Sequence, residues 1–169
     1  GVLAGLTTKT NKVAMVTGEF YDTHRMMEAS FYKGVAYVNP DIETTAITTG
    51  DWADTVKARE ACLAVIAQGY DVLFPCLDAA GAGVAAAAQD SGNVKVVGAV
   101  ADYARDYGAE DVTAGSVVFA WDELGYLETK GELCDGKSHV LGMKENGIRP
   151  VINIELTSEQ QAVYDAAVA

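Results

Sequence analysis

Short apolar runs alternate with amphipathic stretches along the first 100 residues of the chain. Four runs rich in β-branched residues, at 12–17, 43–48, 71–76 and 95–100, predict buried strands. Residues 22–38, 54–68 and 79–89 carry apolar or small residues at helical spacing and predict the intervening helices. Because strands and helices alternate through short loops, we expect an α/β fold with a doubly wound parallel sheet and right-handed crossovers.

The pattern changes after Asp102. Residues 106–135 hold eight acids against one base, around an apolar run at 112–119. Residues 138–156 resemble two extended runs joined at Asn146-Gly147, which predicts a β-hairpin. We therefore expect a hinge or boundary near 101–110, with one domain at 1–101 and a second at 102–169.

Composition narrows the function classes. The chain has 169 residues, 50% of them hydrophobic, which is enough for one packed domain. The 24 acids and 12 bases leave a net charge of −12, the wrong sign for a nucleic-acid partner. Cys62, Cys76 and Cys134 lack the spacing of a metal site or a disulfide framework, so we expect neither a metal nor a disulfide.

The two ends of the chain indicate a fragment. The sequence opens without a methionine, inside what reads as a helix of small residues, and a second helix starting after Thr157 runs to the last residue. We expect no signal peptide within the chain, and its longest apolar run is shorter than the roughly 20 residues that cross a bilayer.

The four loops that follow the predicted strands share a composition. Each holds an acid, and three hold an aromatic residue; they are Gly18-Glu19-Phe20-Tyr21, Gly50-Asp51-Trp52, Cys76-Leu77-Asp78 and Asp102-Tyr103. The carboxyl ends of parallel strands meet at one edge of a sheet, where open α/β folds bind their ligands. Rings that stack and carboxylates that accept hydrogen bonds suit a flat polar ligand such as a purine or nucleoside. For any single loop residue, chance is the better explanation, and the prediction depends on the four loops taken together.

Catalytic chemistry has little support in the sequence. His24 and His139 have no partners that form a recognisable triad, so we expect no catalytic residues and no enzyme activity. Gly81-Ala82-Gly83 lacks the lysine of a phosphate-binding loop, although helix-start N–H groups there could donate to a ligand oxygen. Asp51 and Asp54 are more typical of helix caps than of acid–base catalysis.

Several segments together resemble the basic membrane protein family, the purine nucleoside receptor type, whose members are substrate-binding lipoproteins of ABC importers. They are VNPDIE at 38–43, GDW at 50–52, QGYDVLF at 68–74, VVGAVADY at 96–103 and VLGMKENG at 140–147. The resemblance covers most of the chain. It implies a type I periplasmic-binding-protein fold, with 1–101 as a nearly complete ligand-binding lobe 2 and 102–169 as the crossover and the C-terminal part of lobe 1.

The resemblance also implies a ligand, partners and a location. A small molecule, a purine or nucleoside, would bind between two lobes outside the cytoplasm, without a cofactor, and the closed protein would meet an ABC permease. Membrane attachment would come only through a lipid anchor that lies outside this chain. The rest of lobe 1 would lie outside it as well.

The match to the ligand-binding motifs is partial. A GVDSD-like stretch of the family corresponds to 98–102, where Val100 replaces the first acid and only Asp102 matches. The lysine of a TSMVKR-like stretch corresponds to Phe119. With Trp52 and Trp121, this ring favours stacking over sugar recognition, so a purine base or another flat heterocycle is an equal candidate. The resulting predicted ligand-binding residues are Gly18, Glu19, Phe20, Tyr21, Trp52, Asp78, Asp102, Tyr103, Phe119 and Trp121.

Two other readings fit the same sequence pattern. The chain could be the ligand-sensing effector domain of a regulator, because the same fold serves there. It could also be a flavodoxin-like flavin-binding protein, although the loop after its first strand lacks a Ser/Thr-rich phosphate-binding composition.

Overall fold

A computed structural model describes residues 1–133 and 135–169. Along these residues the elements are α1 (Val2–Thr7), β1 (Lys12–Thr17), α2 (Asp22–Val38), β2 (Glu43–Thr48), α3 (Thr55–Ile66), β3 (Val72–Cys76), α4 (Gly81–Ser91), β4 (Lys95–Val100), α5 (Tyr103–Tyr107), β5 (Thr113–Phe119), α6 (Trp121–Thr129), β6 (Ile148–Ile152) and α7 (Ser158–Val168).

The strands form one sheet in the order β2-β1-β3-β4-β5-β6. The first five strands of the chain pair in parallel, and β6 pairs antiparallel with β5. The outward step from β1 to β2 and the return through β3 to β5 place helices on both faces of the sheet. The predicted α/β fold class with a doubly wound sheet is therefore confirmed.

Each face of the sheet has its own apolar core. One core joins the sheet to α3 and α4, whose alanines and glycines allow close helix packing; the other joins it to α1 and α2. A Cβ on Gly83 would collide with the backbone of Thr55, so α4 packs against α3 only with a glycine there. Cys62 and Cys76 are buried as free thiols, one in each core. Cys134 lies outside the described residues.

The predicted β-hairpin at Asn146-Gly147 is wrong. Asn146 does adopt a left-handed conformation, with φ of 59°, and the turn bonds back to the carbonyl of Gly142. However, residues 138–141 form no strand, and β6 pairs instead with β5, where Val117 faces Pro150. β6 therefore pairs with the free edge of β5 and not with a neighbouring strand of a local hairpin.

The strands on either side of the expected boundary belong to the same sheet. Thr113 of β5 lies opposite Val96 of β4, and β6 extends the sheet beyond β5. The division at 101–102 into two lobes stays a prediction. Among the described residues, no helix combines the length and the apolar character that crossing a membrane requires.

Candidate functional site

The loops after β1, β2, β3 and β4 meet at one edge of the sheet, which we call the carboxyl edge (residues 18–21, 49–54, 77–80 and 101–102). Backbone hydrogen bonds join the first three loops directly. The amides of Thr49 and Gly50 donate to the carbonyls of Thr17 and Gly18, each at 2.9 Å. The amide of Ala80 donates to the carbonyl of Trp52 at 3.1 Å.

The fourth segment joins this set through a side chain. The Tyr107 hydroxyl of α5 donates to the carbonyl of Asp78 at 3.2 Å. The four loops are thus a connected surface, as the parallel order of the strands predicts, and Glu19 and Asp78 are exposed on it.

Trp52 is the centre of the β1–β2 side of this edge. A Cβ on Gly18 would lie 2.5 Å from the indole, so the indole packs directly on the backbone of Gly18 only because this residue has no side chain. The ring of Tyr21 lies nearly parallel to the indole, at 14° and 6.1 Å between centroids. His24 packs against the same indole at 4.7 Å. We call Gly18, Tyr21, His24 and Trp52 the Trp52 cluster.

Polar groups fix the residues around the Trp52 cluster. Glu19 accepts a hydrogen bond from the Tyr21 hydroxyl at 2.9 Å, and this bond raises the pKa of Tyr21 above its ordinary value. The guanidinium of Arg25 lies 4.9 Å from the centroid of the Phe20 ring, a cation–π arrangement. Tyr21 is 55% exposed and is the most accessible ring of the cluster.

The two acids beside Trp52 serve the backbone, as the sequence predicts. Asp54 caps α3 by accepting from the amides of Val56 and Lys57. The Asp51 carboxylate accepts from the amides of Ala53 and Asp54 at 2.8 and 3.0 Å, and these bonds lower the pKa of Asp51. Both carboxylates therefore hold the loop that carries Trp52.

The interpretation of Tyr103 as a stacking ring is corrected. Its side chain is 0% exposed, between Gly81 and Gly98, where a Cβ on either glycine would collide with it. Burial raises the pKa of Tyr103, and its hydroxyl has no hydrogen-bond partner among the described residues. The neighbouring Asp102 is half-buried at the start of α5, and its carboxylate accepts from the amide of Arg105.

Phe119 and Trp121 lie in a different place from Trp52. They meet edge to face, with centroids 5.9 Å apart, and line a pocket of about 280 Å³ with Leu124, Leu141 and His139. We call this the β5–α6 pocket. Trp52 packs at the β1 and β3 loops, whereas this pocket lies at β5, beyond β4, so the two sites occupy different parts of the sheet.

Sequence reasoning missed His24 as a member of the site. Its position two residues into α2, directly after the aromatic loop, was the available signal, because the first turn of a helix that follows a parallel strand lies at the carboxyl edge. No group of three or more metal-binding side chains occurs in the part of the chain that the structure describes.

The architecture defines an α/β domain of the type found in periplasmic solute-binding proteins. A crystal structure of an ABC transporter solute-binding protein from Aeropyrum pernix K1 shares the fold over 99% of this chain and 50% of that chain, with a TM-score of 0.77 and 18% identity. A transcriptional activator of the comK gene from Bacillus halodurans does so over 99% of this chain and 60% of that chain, with a TM-score of 0.79 and 22% identity. These likenesses establish the fold.

The chain belongs to the Bmp family, described as ABC transporter substrate-binding protein PnrA-like, which matches residues 1–168. Basic membrane protein D of Borreliella burgdorferi is 28% identical over 170 residues, covering 98% of this chain and 50% of that protein. The ABC transporter nucleoside-binding protein BmpA of Lactococcus lactis is 31% identical over 84 residues, covering 50% of this chain and 24% of that protein. The chain thus spans half or less of the curated relatives it matches, and the resemblance seen in its sequence is confirmed.

Proposed function

We propose that this chain is the ligand-binding part of an extracytoplasmic solute-binding protein of an ABC importer, and that its ligand is a purine nucleoside, a purine base or a similar flat heterocycle. The carboxyl edge forms one wall of the site. The protein binds its ligand without chemical change and presents it to a membrane permease.

The observation that carries this proposal is the meeting of the first three loops around Trp52. Tyr21 offers an exposed ring, and Glu19 and Asp78 offer exposed carboxylates on the same connected edge. A ring stacked on an aromatic side chain contributes about 1 to 3 kcal/mol, and carboxylates accept from the N–H and O–H groups of a purine or sugar. The relative from Lactococcus lactis is named a nucleoside-binding protein, which agrees with this ligand class.

Phe119 and Trp121 line a separate pocket, which is the alternative place for a ligand ring. The β5–α6 pocket is apolar and aromatic, so it suits a ring but offers few hydrogen bonds. A ligand held at Trp52 reaches that pocket only if it is long. Variants at each place decide between the two.

A ligand panel tests the proposal. Titration calorimetry of the full-length protein with hypoxanthine, inosine, riboflavin and ribose should give the strongest binding for a purine base or nucleoside. Ribose binding with no response to the purines would contradict the proposed ligand class. Riboflavin as the only ligand would favour the flavin-binding reading.

The effector domain of a regulator is the second candidate, since the Bacillus transcriptional activator shares the fold. The two candidates differ outside this chain. An N-terminal DNA-binding domain in the full-length protein would favour the regulator, whereas a lipid-anchored N-terminal cysteine would favour the transport protein.

A further inference from the structure

Three cations lie near the starts of the helices that follow the loops of the carboxyl edge: Arg25 in α2, Lys57 in α3 and Arg105 in α5. Two of them are paired with carboxylates. Lys57 lies 3.6 Å from Asp54, and Arg105 donates to Asp106 at 2.7 and 3.0 Å. The exposed side chain of Arg25, by contrast, makes no ion pair and no hydrogen bond with the described residues. Its N–H groups are therefore available to a ligand.

Two contacts hold Arg25 at the site. Its guanidinium lies 4.9 Å from the centroid of the Phe20 ring, in the loop after β1. Its amide donates to the carbonyl of Tyr21 at 3.1 Å, so Arg25 lies one helical turn from the most accessible ring of the Trp52 cluster. Contact with the face of a ring does not consume the five N–H donors of a guanidinium, which form a rigid planar fork.

Other hydrogen-bond donors of the carboxyl edge are already engaged. The Tyr21 hydroxyl donates to Glu19 at 2.9 Å, and the loop amides described above donate to carbonyls of neighbouring loops. The exposed carboxylates of Glu19 and Asp78 are acceptors. A purine at this edge thus meets acceptors in the acids and a fork of donors in Arg25.

Purines differ in how they match such a fork. A 6-oxopurine presents two adjacent acceptors, O6 and N7, to which an arginine donates two parallel hydrogen bonds. Adenine presents an amino donor beside N7, so the same fork meets one acceptor and one donor. Carboxylates accept from the amino group of adenine as well as from N1–H of a 6-oxopurine, and they do not separate the two classes. The discrimination therefore depends on the guanidinium.

We propose that Arg25 is a specificity-determining residue, which selects 6-oxopurines and their nucleosides over adenine and adenosine by donating to O6 and N7. This inference rests on the proposed function and names the ligand class of that site. Because Arg25 is exposed and water competes for its N–H groups, the preference is at the lower end for a bidentate contact, about five- to tenfold in affinity.

The first test compares inosine with adenosine, which share the sugar and differ in the purine. Calorimetry of the full-length protein should show inosine binding about five- to tenfold more tightly. 7-Deazainosine keeps O6 but lacks the N7 acceptor, so it should bind more weakly than inosine. Equal affinities for inosine and adenosine, or tighter binding of adenosine, would overturn the proposal.

Variants of Arg25 connect this preference to its guanidinium. Arg25→Met keeps an unbranched stem beside Phe20 but has no donor, so inosine should bind about five- to tenfold more weakly while adenosine affinity stays unchanged. Arg25→Lys keeps the charge without the planar fork and should lose most of the preference. An equal loss for both nucleosides in Arg25→Met would indicate a structural role and contradict the selectivity.

Arg105→Met is the matched control, because it removes a guanidinium that is already paired with Asp106. Its ratio of inosine to adenosine affinity should equal that of the wild type. A loss of preference as large as in Arg25→Met would show that net charge, and not the Arg25 fork, determines the selectivity.

The outcomes separate this inference from the proposed function. If neither nucleoside and no other member of the ligand panel binds, the proposed function fails and the selectivity fails with it. If both nucleosides bind and Arg25→Met keeps the wild-type affinity ratio, the selectivity fails alone.

Discussion

The two aromatic regions at the carboxyl ends of the strands are built differently. Trp52 is half-buried, seated on Gly18 and connected through backbone bonds to the loops of β1 and β3. Trp121, by contrast, is 61% exposed at the start of α6, where it meets the Phe119 ring at the β5–α6 pocket. An aromatic residue thus gains a fixed geometry when the backbone of neighbouring strands holds its loop. The position of an aromatic residue directly after a strand does not by itself fix the geometry of its ring.

The largest expected effect is a change in stability when alanine replaces a glycine in each of the two regions. Gly18→Ala places a Cβ 2.5 Å from the Trp52 indole, so overpacking should lower stability by about 1 to 3 kcal/mol. Gly125 is the matched control: it lies in α6 beside the β5–α6 pocket, and outside its own helix turn no described atom is within 4 Å of an added Cβ. Gly125→Ala should raise stability by about 0.5 to 1 kcal/mol, because alanine favours a helix interior. Chemical denaturation measures both, and equal effects would remove the distinction.

Ligand affinity is the next way to challenge the comparison. Trp52→Ala should weaken purine binding by about 1 to 3 kcal/mol, the usual contribution of one stacked ring. Trp121→Ala should change it by less than about 0.5 kcal/mol, as expected for a surface substitution away from the ligand. Calorimetry with inosine decides this, and the reverse result would move the binding site to the β5–α6 pocket.

The hydroxyls of the two tyrosines of α5 should have opposite effects on stability. Tyr103→Phe removes a buried hydroxyl that lacks a partner among the described residues, and should stabilise the chain by about 1 kcal/mol. Tyr107→Phe removes the bond to Asp78 and should destabilise it by about 0.5 to 1.5 kcal/mol. Thermal unfolding of both variants gives the comparison. A loss of stability in Tyr103→Phe would indicate that its hydroxyl has a partner after all.

The smallest effect is a dependence on pH at the loop of Trp52. Amides of Ala53 and Asp54 lower the pKa of Asp51 in the folded chain, so its carboxylate stabilises the fold above the unfolded value of 3.8. That stability is lost as the pH falls through the folded value. Asp51→Asn should therefore be slightly less stable than wild type at pH 7, and the difference should shrink toward pH 3. A difference that is constant with pH would show that the charge of Asp51 has no role.

Most of the fold could be predicted from the sequence because buried parallel strands and their helices have local patterns. β1, β2, β4 and α2 begin and end where the sequence indicated. The pairing of β6 could not be predicted, since it depends on which strand of the finished sheet has a free side, and Asn146-Gly147 suggested a local partner instead.

The site could be predicted less completely than the fold. The meeting of the first three loops follows from the parallel order of their strands, which brings Gly18, Tyr21 and Trp52 together, whereas His24 was missed. The burial of Tyr103 depends on two distant glycines, Gly81 and Gly98, that leave room for its ring. The separation of Phe119 and Trp121 from Trp52 depends on sheet order, which is set by packing of the whole chain.

The backbone hydrogen bonds that connect the loops affect how much binding at this surface costs in conformational entropy. Thr49, Gly50 and Ala80 lie outside regular strands, yet their N–H groups are already committed to carbonyls of neighbouring segments. The loop backbone is therefore preorganised, so that it loses little conformational entropy when a molecule binds to this surface. These three amides should accordingly exchange with deuterium more slowly than those of an ordinary surface turn.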